Sequence, residues 1–280
     1  MLRLNKLNFT IAALAMLAIC QPVFAQKVVI RPEAAKSKYT GSIKIEPMDS
    51  GVKIEKNKIT FAPKKEGTTY LISGYFNGQL INKTKNTVLK LNNAFLENQN
   101  GQSTIYGEAK IELSSTEGSV NYIVMSGSNQ NKVAAIHSKK NLELGGSGTI
   151  YVKGDTCHAV KGDDVKLKGS GTWYIQSSKE GSGINCQNFI VEKDKSFNAW
   201  IIESKNAIKA DFTIKIESGN FFMFNNATAL KTDTKKDDPK SPHFILLNGG
   251  KFTVSRFSTL YKTEKDAFKN KGAKIIESIE

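Results

Sequence analysis

The chain has 280 residues, a formal charge of +14 and three cysteines. Its length suffices for one large all-β domain around a single core, and no run beyond the first 25 residues is long or apolar enough for a membrane helix. Nearly all the positive charge is lysine, with arginine only at Arg3, Arg31 and Arg256. Scattered in this way, it reads as a solubilising coat or as long-range attraction to an anionic partner, and it argues against a nucleic-acid binder.

Residues 1–25 read as a signal peptide. Arg3 and Lys6 give a positive start, Phe9 to Cys20 form a short apolar run, and Val23 and Ala25 place small side chains before a cut at Gln26. The expectation is an exported protein, periplasmic or at the cell surface. Residues 26–66 carry Pro32, Pro47 and Pro63 among short strand-like runs (KVVI, SIKIE, KITFA). They read as an N-terminal cap, because a bare solenoid end exposes strand edges and core.

From residue 67 to 280 the chain repeats itself. The pairs Ala135-Ile136, Ala159-Val160, Gly183-Ile184 and Ala207-Ile208 recur every 24 residues. Ala229-Leu230 follows, and Thr259-Leu260 comes last, beyond an inserted loop at 234–242 (TKKDDPKSP). Each anchor is followed by two further period-2 alternations, for example Val165 and Leu167, then Trp173 and Ile175. Turn glycines at Gly148, Gly171, Gly219 and Gly250 separate them, where positive φ is cheap. Three short strands in about 24 residues make one coil of a right-handed parallel β-helix, an all-β solenoid in which each coil buries the next. No proline lies between Pro63 and Pro239, as central ladders require.

Stacking turns positions into columns roughly 4.8 Å apart. One residue after each anchor come His137, Lys161, Asn185, Lys209 and Lys231, pointing outward; two residues further come Lys139, Asp163, Gln187, Asp211 and Asp233. The aspartates offset the lysines, or the strip grips an acidic or hydroxyl-rich polymer. The third strand has its own outward column, Tyr151, Tyr174, Asn198, Phe222 and Thr253, with Trp200 projecting the same way. Sugar rings can lay their C–H faces on such a strip, so Tyr151, Tyr174, Trp200 and Phe222 are the candidate carbohydrate-stacking residues, and Lys161, Lys209 and Lys231 supply charge. Cys186 falls in an inward column and Cys157 at a turn roughly 16 Å away along the strand, which argues against a disulfide.

The segments YLISGYFNGQLIN (70–82) and VLKLNNAFLENQNGQSTIYG (88–107), followed by the coils to residue 260, resemble a family of secreted bacterial β-helix carbohydrate-binding proteins. That resemblance implies an architecture similar to pectate lyases, binding of cellulose or pectic polygalacturonate, and calcium sites. The family's anchor reads Asp-Gly-Ile-Lys, whereas here the Asp position holds Ala134, His158, Ser182, Asn206 and Thr228. Calcium would then fall to Asp163, Asp164, Asp211 and Asp233, a reduced set. The chain reads as a binder of polysaccharide with no required cofactor. The alternatives are a polysaccharide lyase or galacturonan hydrolase on the same fold, or an adhesive surface protein. Against catalysis, Arg256 has no acidic cluster beside it, and Asp163-Asp164 reads as turn chemistry rather than a pair flanking a glycosidic bond.

Overall fold

The computed structural model describes residues 30–85, 87–127, 133–234, 238–255 and 258–278. The leader, Arg256 and the middle of the 234–242 loop lie outside the described residues. The chain forms a parallel β-solenoid of about nine turns, each of about 24 residues.

Each turn contributes to three sheets. In the first sheet Ile136, Val160, Ile184, Ile208 and Leu230 stand in vertical register, and every one of them is fully buried. The second sheet carries Ile111, Leu142, Val165, Phe189, Ile214 and Ile245 in the same way. The third stacks Ile150, Trp173, Ala199, Phe221 and Phe252 inward. In two successive turns one continuous strand, His158–Leu167 or Ser182–Val191, serves the first and second sheets together. The strand Asn206–Ile216 does the same with one extra residue, and the register shifts between Cys186 and Asn188 to absorb it. Cys157 and Cys186 are both buried and are not joined by a disulfide.

The N-terminal end is sealed by antiparallel pairing. Val52–Glu55 and Lys58–Phe61 form a hairpin, and Lys44–Glu46 pairs antiparallel with Thr69–Asn77. Lys58–Phe61 is also parallel to Gln79–Asn82, so the parallel ladder of the first sheet begins at Lys58. At the other end Leu230 pairs with Tyr261, not Leu260, one residue off the expected anchor. Tyr261 is 42% exposed and stacks on Phe268 at 3.9 Å.

The turn glycines divide into two kinds. Gly219 and Gly250 have φ of 88° and 89°, as expected, but in two other turns the positive φ sits at Gly146 and Gly169. Gly148 and Gly171 are required instead for space: a Cβ there would lie 2.2 Å from the Thr116 carbonyl oxygen and 2.3 Å from that of Gly148.

Candidate functional site

The three outer faces differ in how much of their chemistry is already satisfied. On the second sheet, Glu143 is gripped by Lys110 at 2.6 Å and Lys168 at 2.7 Å, and Lys168 also reaches Glu112 at 2.8 Å. Burial pushes the Glu143 carboxyl up, but the two lysines outweigh it and hold its pKa at about 2. This face is neutralised by its own side chains.

The first sheet aligns Tyr106, His137, Lys161, Asn185, Lys209, Lys231 and Lys262 in one column. Of the expected charge-supplying residues, Lys209 is committed: its ammonium lies 3.2 Å from Asp211 and 3.1 Å from Asp233. Among the described residues Lys161 and Lys231 make no ion pair. Burial and then the Lys209 ammonium pull Lys231 below its usual range. Lys209→Met would leave two carboxylates on adjacent turns facing each other. The expected loss is about 1–2 kcal/mol, seen as a lower melting temperature that added salt partly restores; a salt-independent melting curve would contradict the bridging role.

His137 packs edge-on against Tyr106 at 5.6 Å, and its Nδ1 is buried with no partner among the described residues. Burial first, then Lys161 and Lys139, lower its pKa from 6.5 to about 4. Between those two values the unfolded chain takes up a proton here and the folded chain does not, so stability falls as pH drops through that window. His137→Phe keeps the packing and removes the titration. Its melting temperature is expected to fall less than wild type between pH 6.5 and 4; parallel curves would remove His137 from the acid response.

The four aspartates considered for calcium do not converge. Asp163 accepts from Gln187 Nε2 at 3.4 Å, and Asp164 accepts from Asn188 Nδ2 at 2.9 Å. Asp211 and Asp233 bracket the Lys209 ammonium, which stands where a cation would have to sit. Among the described residues no group of three or more His, Cys, Asp or Glu side chains could hold a metal. Calcium asks for six to eight oxygens, and this donor set does not fit it.

The third sheet carries an aromatic ladder longer than the sequence indicated. Tyr75, Phe95, Tyr122, Tyr151, Tyr174, Trp200 and Phe222 occupy one outward column. Trp200, not Asn198, fills the place beside Tyr174; Asn198 pairs with Thr172 and Asn220 in the adjoining polar row. Ring centroids are 4.7 Å apart for Tyr122–Tyr151, 4.6 Å for Tyr151–Tyr174 and 4.1 Å for Trp200–Phe222, with planes within 10°. The rings therefore spend their faces on one another. Along the tightly stacked pairs, what solvent meets is ring edges and hydroxyls. Tyr151 and Tyr174 make no hydrogen bond through their hydroxyls among the described residues. Burial, then the neighbouring tyrosines, raises the Tyr151 phenol to about 12, so it remains a proton donor.

The upstream part of the ladder is roofed. Ile30 N–H donates to Gln176 Oε1 at 3.1 Å, and Lys36 reaches Glu97 at 2.6 Å, so residues 30–36 run back along the row beside the ladder. Tyr39 then packs on Phe95 and Tyr122 at 5.5 and 5.9 Å. Tyr151, Tyr174, Trp200 and Phe222 stay partly exposed. The lysine and aromatic columns lie on different sheets, so the two expected halves of one site are separate surfaces.

Three comparisons bear on this geometry. The family model of carbohydrate-binding domain-containing proteins matches residues 55–211. Among solved structures, the chain is similar to the polysaccharide lyase-like protein from C. thermocellum, solved as a gadolinium derivative. That likeness has 16% identity and a TM-score of 0.50, covering 83% of this chain and 89% of that one; it is a likeness of fold. No curated protein matches.

Proposed function

The chain belongs to the family of carbohydrate-binding domain-containing proteins, and from that premise we propose that it is a non-catalytic binder of polysaccharide, held along the outer face of the third sheet. The observation that carries this reading is the ladder itself: four partly exposed aromatic residues in register at one-turn spacing, two of them offering unpaired hydroxyls. A polymer with repeating hydroxyls matches a surface with repeating donors. The adjoining row adds Thr149, Thr172, Asn198 and Asn220, with Asn220 Nδ2 donating to Asn198 Oδ1 at 3.1 Å.

The non-catalytic reading is supported by five aspartates that already have partners. Asp163 and Asp164 are held by amides, Asp211 and Asp233 by Lys209, and Asp238 by Ser241 and Lys240. A hydrolase needs two carboxyl groups free to face one bond. Retention on insoluble cellulose and on polygalacturonate, each with and without chelator, tests the reading. Retention unaffected by chelator, without new unsaturated ends absorbing in the ultraviolet, is expected. No retention on either polymer, or release of unsaturated products, would overturn it. Affinity for a polyuronate should fall with ionic strength, while binding to a neutral glycan should hardly move.

A further inference from the structure

A cleft of about 700 Å³ opens where the third-sheet strands turn back toward the first sheet, lined from four successive turns by Lys153 and Asp155, Gln176 and Ser178, Glu203, and Asn225. One row of side chains separates it from the ladder. Lys153 and Gln176 stand two residues beyond Tyr151 and Tyr174, on the same outward side of their strands.

Several independent features make this cleft more than a surface dip. The Ser178 Oγ is buried and finds no hydrogen-bond partner among the described residues, a state that costs stability unless something else satisfies it. Asn225 is exposed, and its amide makes no hydrogen bond among the described residues. Glu203 and Asn225 occupy equivalent places on adjacent turns, and both adopt left-handed backbone, with φ of 52° and 55°. Side chains rarely take that conformation, and it gathers at binding sites. Gln176 is clamped at both ends, accepting from Ile30 N–H and donating to Glu203 Oε2 at 2.6 Å, which fixes the wall.

The charges decide the class of ligand. Lys153 lies 2.9 Å from Asp155, and Lys179 and Glu203 complete two ammonium groups against two carboxylates. No net charge remains to favour an anion. We propose that this cleft is a subsite for one uncharged sugar ring of a polysaccharide whose neighbouring rings follow the ladder, with Ser178 and Asn225 supplying the open hydrogen bonds. The inference rests on the polysaccharide-binding reading above and assigns its neutral subsite.

The test is affinity electrophoresis of the full chain in gels containing hydroxyethylcellulose or polygalacturonate, with melting temperatures measured in parallel. Asn225→Gly removes the amide and keeps the left-handed backbone. Ser178→Ala removes an orphaned polar atom, so its melting temperature should hold or rise. Together they are expected to weaken hydroxyethylcellulose binding by about tenfold. Unchanged affinity overturns the proposal, as does a loss found only in variants whose melting temperature has dropped. Wild type retained by polygalacturonate alone overturns the uncharged-ring assignment. If ladder variants lose binding and cleft variants do not, only the cleft is refuted; if wild type binds neither polymer, the polysaccharide reading fails with it.

Discussion

Replacing Tyr151 and Tyr174 together with alanine is expected to abolish most retention on polysaccharide, weakening it by about tenfold or more. These two rings sit in the middle of the partly exposed stretch, and removing both leaves a gap between Tyr122 and Trp200. Three stacked pairs are lost, each contributing about 0.5–1.5 kcal/mol, so some fall in melting temperature comes with the loss of binding. The phenylalanine pair, Tyr151→Phe with Tyr174→Phe, separates the two effects. It preserves every ring contact and deletes only the hydroxyls. Because the ring faces of the tightest pairs are turned on one another, the hydroxyls are the proposed recognition groups, and the phenylalanine pair should then reproduce most of the alanine pair's binding loss at undiminished stability. Wild-type binding by the phenylalanine pair would move recognition to the ring edges. Wild-type binding by the alanine pair would remove the ladder from the site.

Phe221→Ala carries the largest expected cost to the fold, about 3–5 kcal/mol. Phe221 is fully buried, stacks on Phe252 at 5.0 Å, and meets Phe197 and Phe189 edge-on at 5.4 and 6.4 Å. Truncation opens a void that three aromatic neighbours on adjacent turns cannot jointly close. A solenoid couples each turn mainly to its neighbours, so amide exchange should rise in 198–202 and 251–255 while 120–125 stays protected. Phe222, one residue on and facing outward, is the control: its truncation should cost far less. Equal losses at the two positions would mean the inward and outward sides had been misassigned.

Much of this molecule was legible because its inward columns repeat. Where Ile136, Val160, Ile184 and Ile208 recur at one spacing, alternation alone decides which side chains enter the core, and the burial of Trp173 and Cys186 followed from counting. The count broke wherever a turn changed length. Between Val191 and Asn198 the turn is longer than that between Leu167 and Thr172, which moved Trp200 into the ladder in place of Asn198. At Tyr261 the register slipped by one residue after the inserted loop. The upstream rings Tyr75 and Phe95 stayed hidden because the early turns are irregular, with a bulge between Ile72 and Gly74.

By itself, then, the amino-acid order determined the solenoid, its period and the inward or outward sense of most side chains, since these depend only on spacing along one strand. Three things were decided by tertiary structure alone. The segment from Ile30 to Tyr39 roofs half the ladder, Lys209 takes Asp233 from the next turn as well as its strand neighbour Asp211, and the polar cleft gathers groups from four turns. Each depends on distances between residues far apart in the chain and on which way flexible side chains turn once neighbours are packed around them. A periodic sequence specifies where such groups are placed, but which partner each one takes is settled by the geometry of the assembled coil.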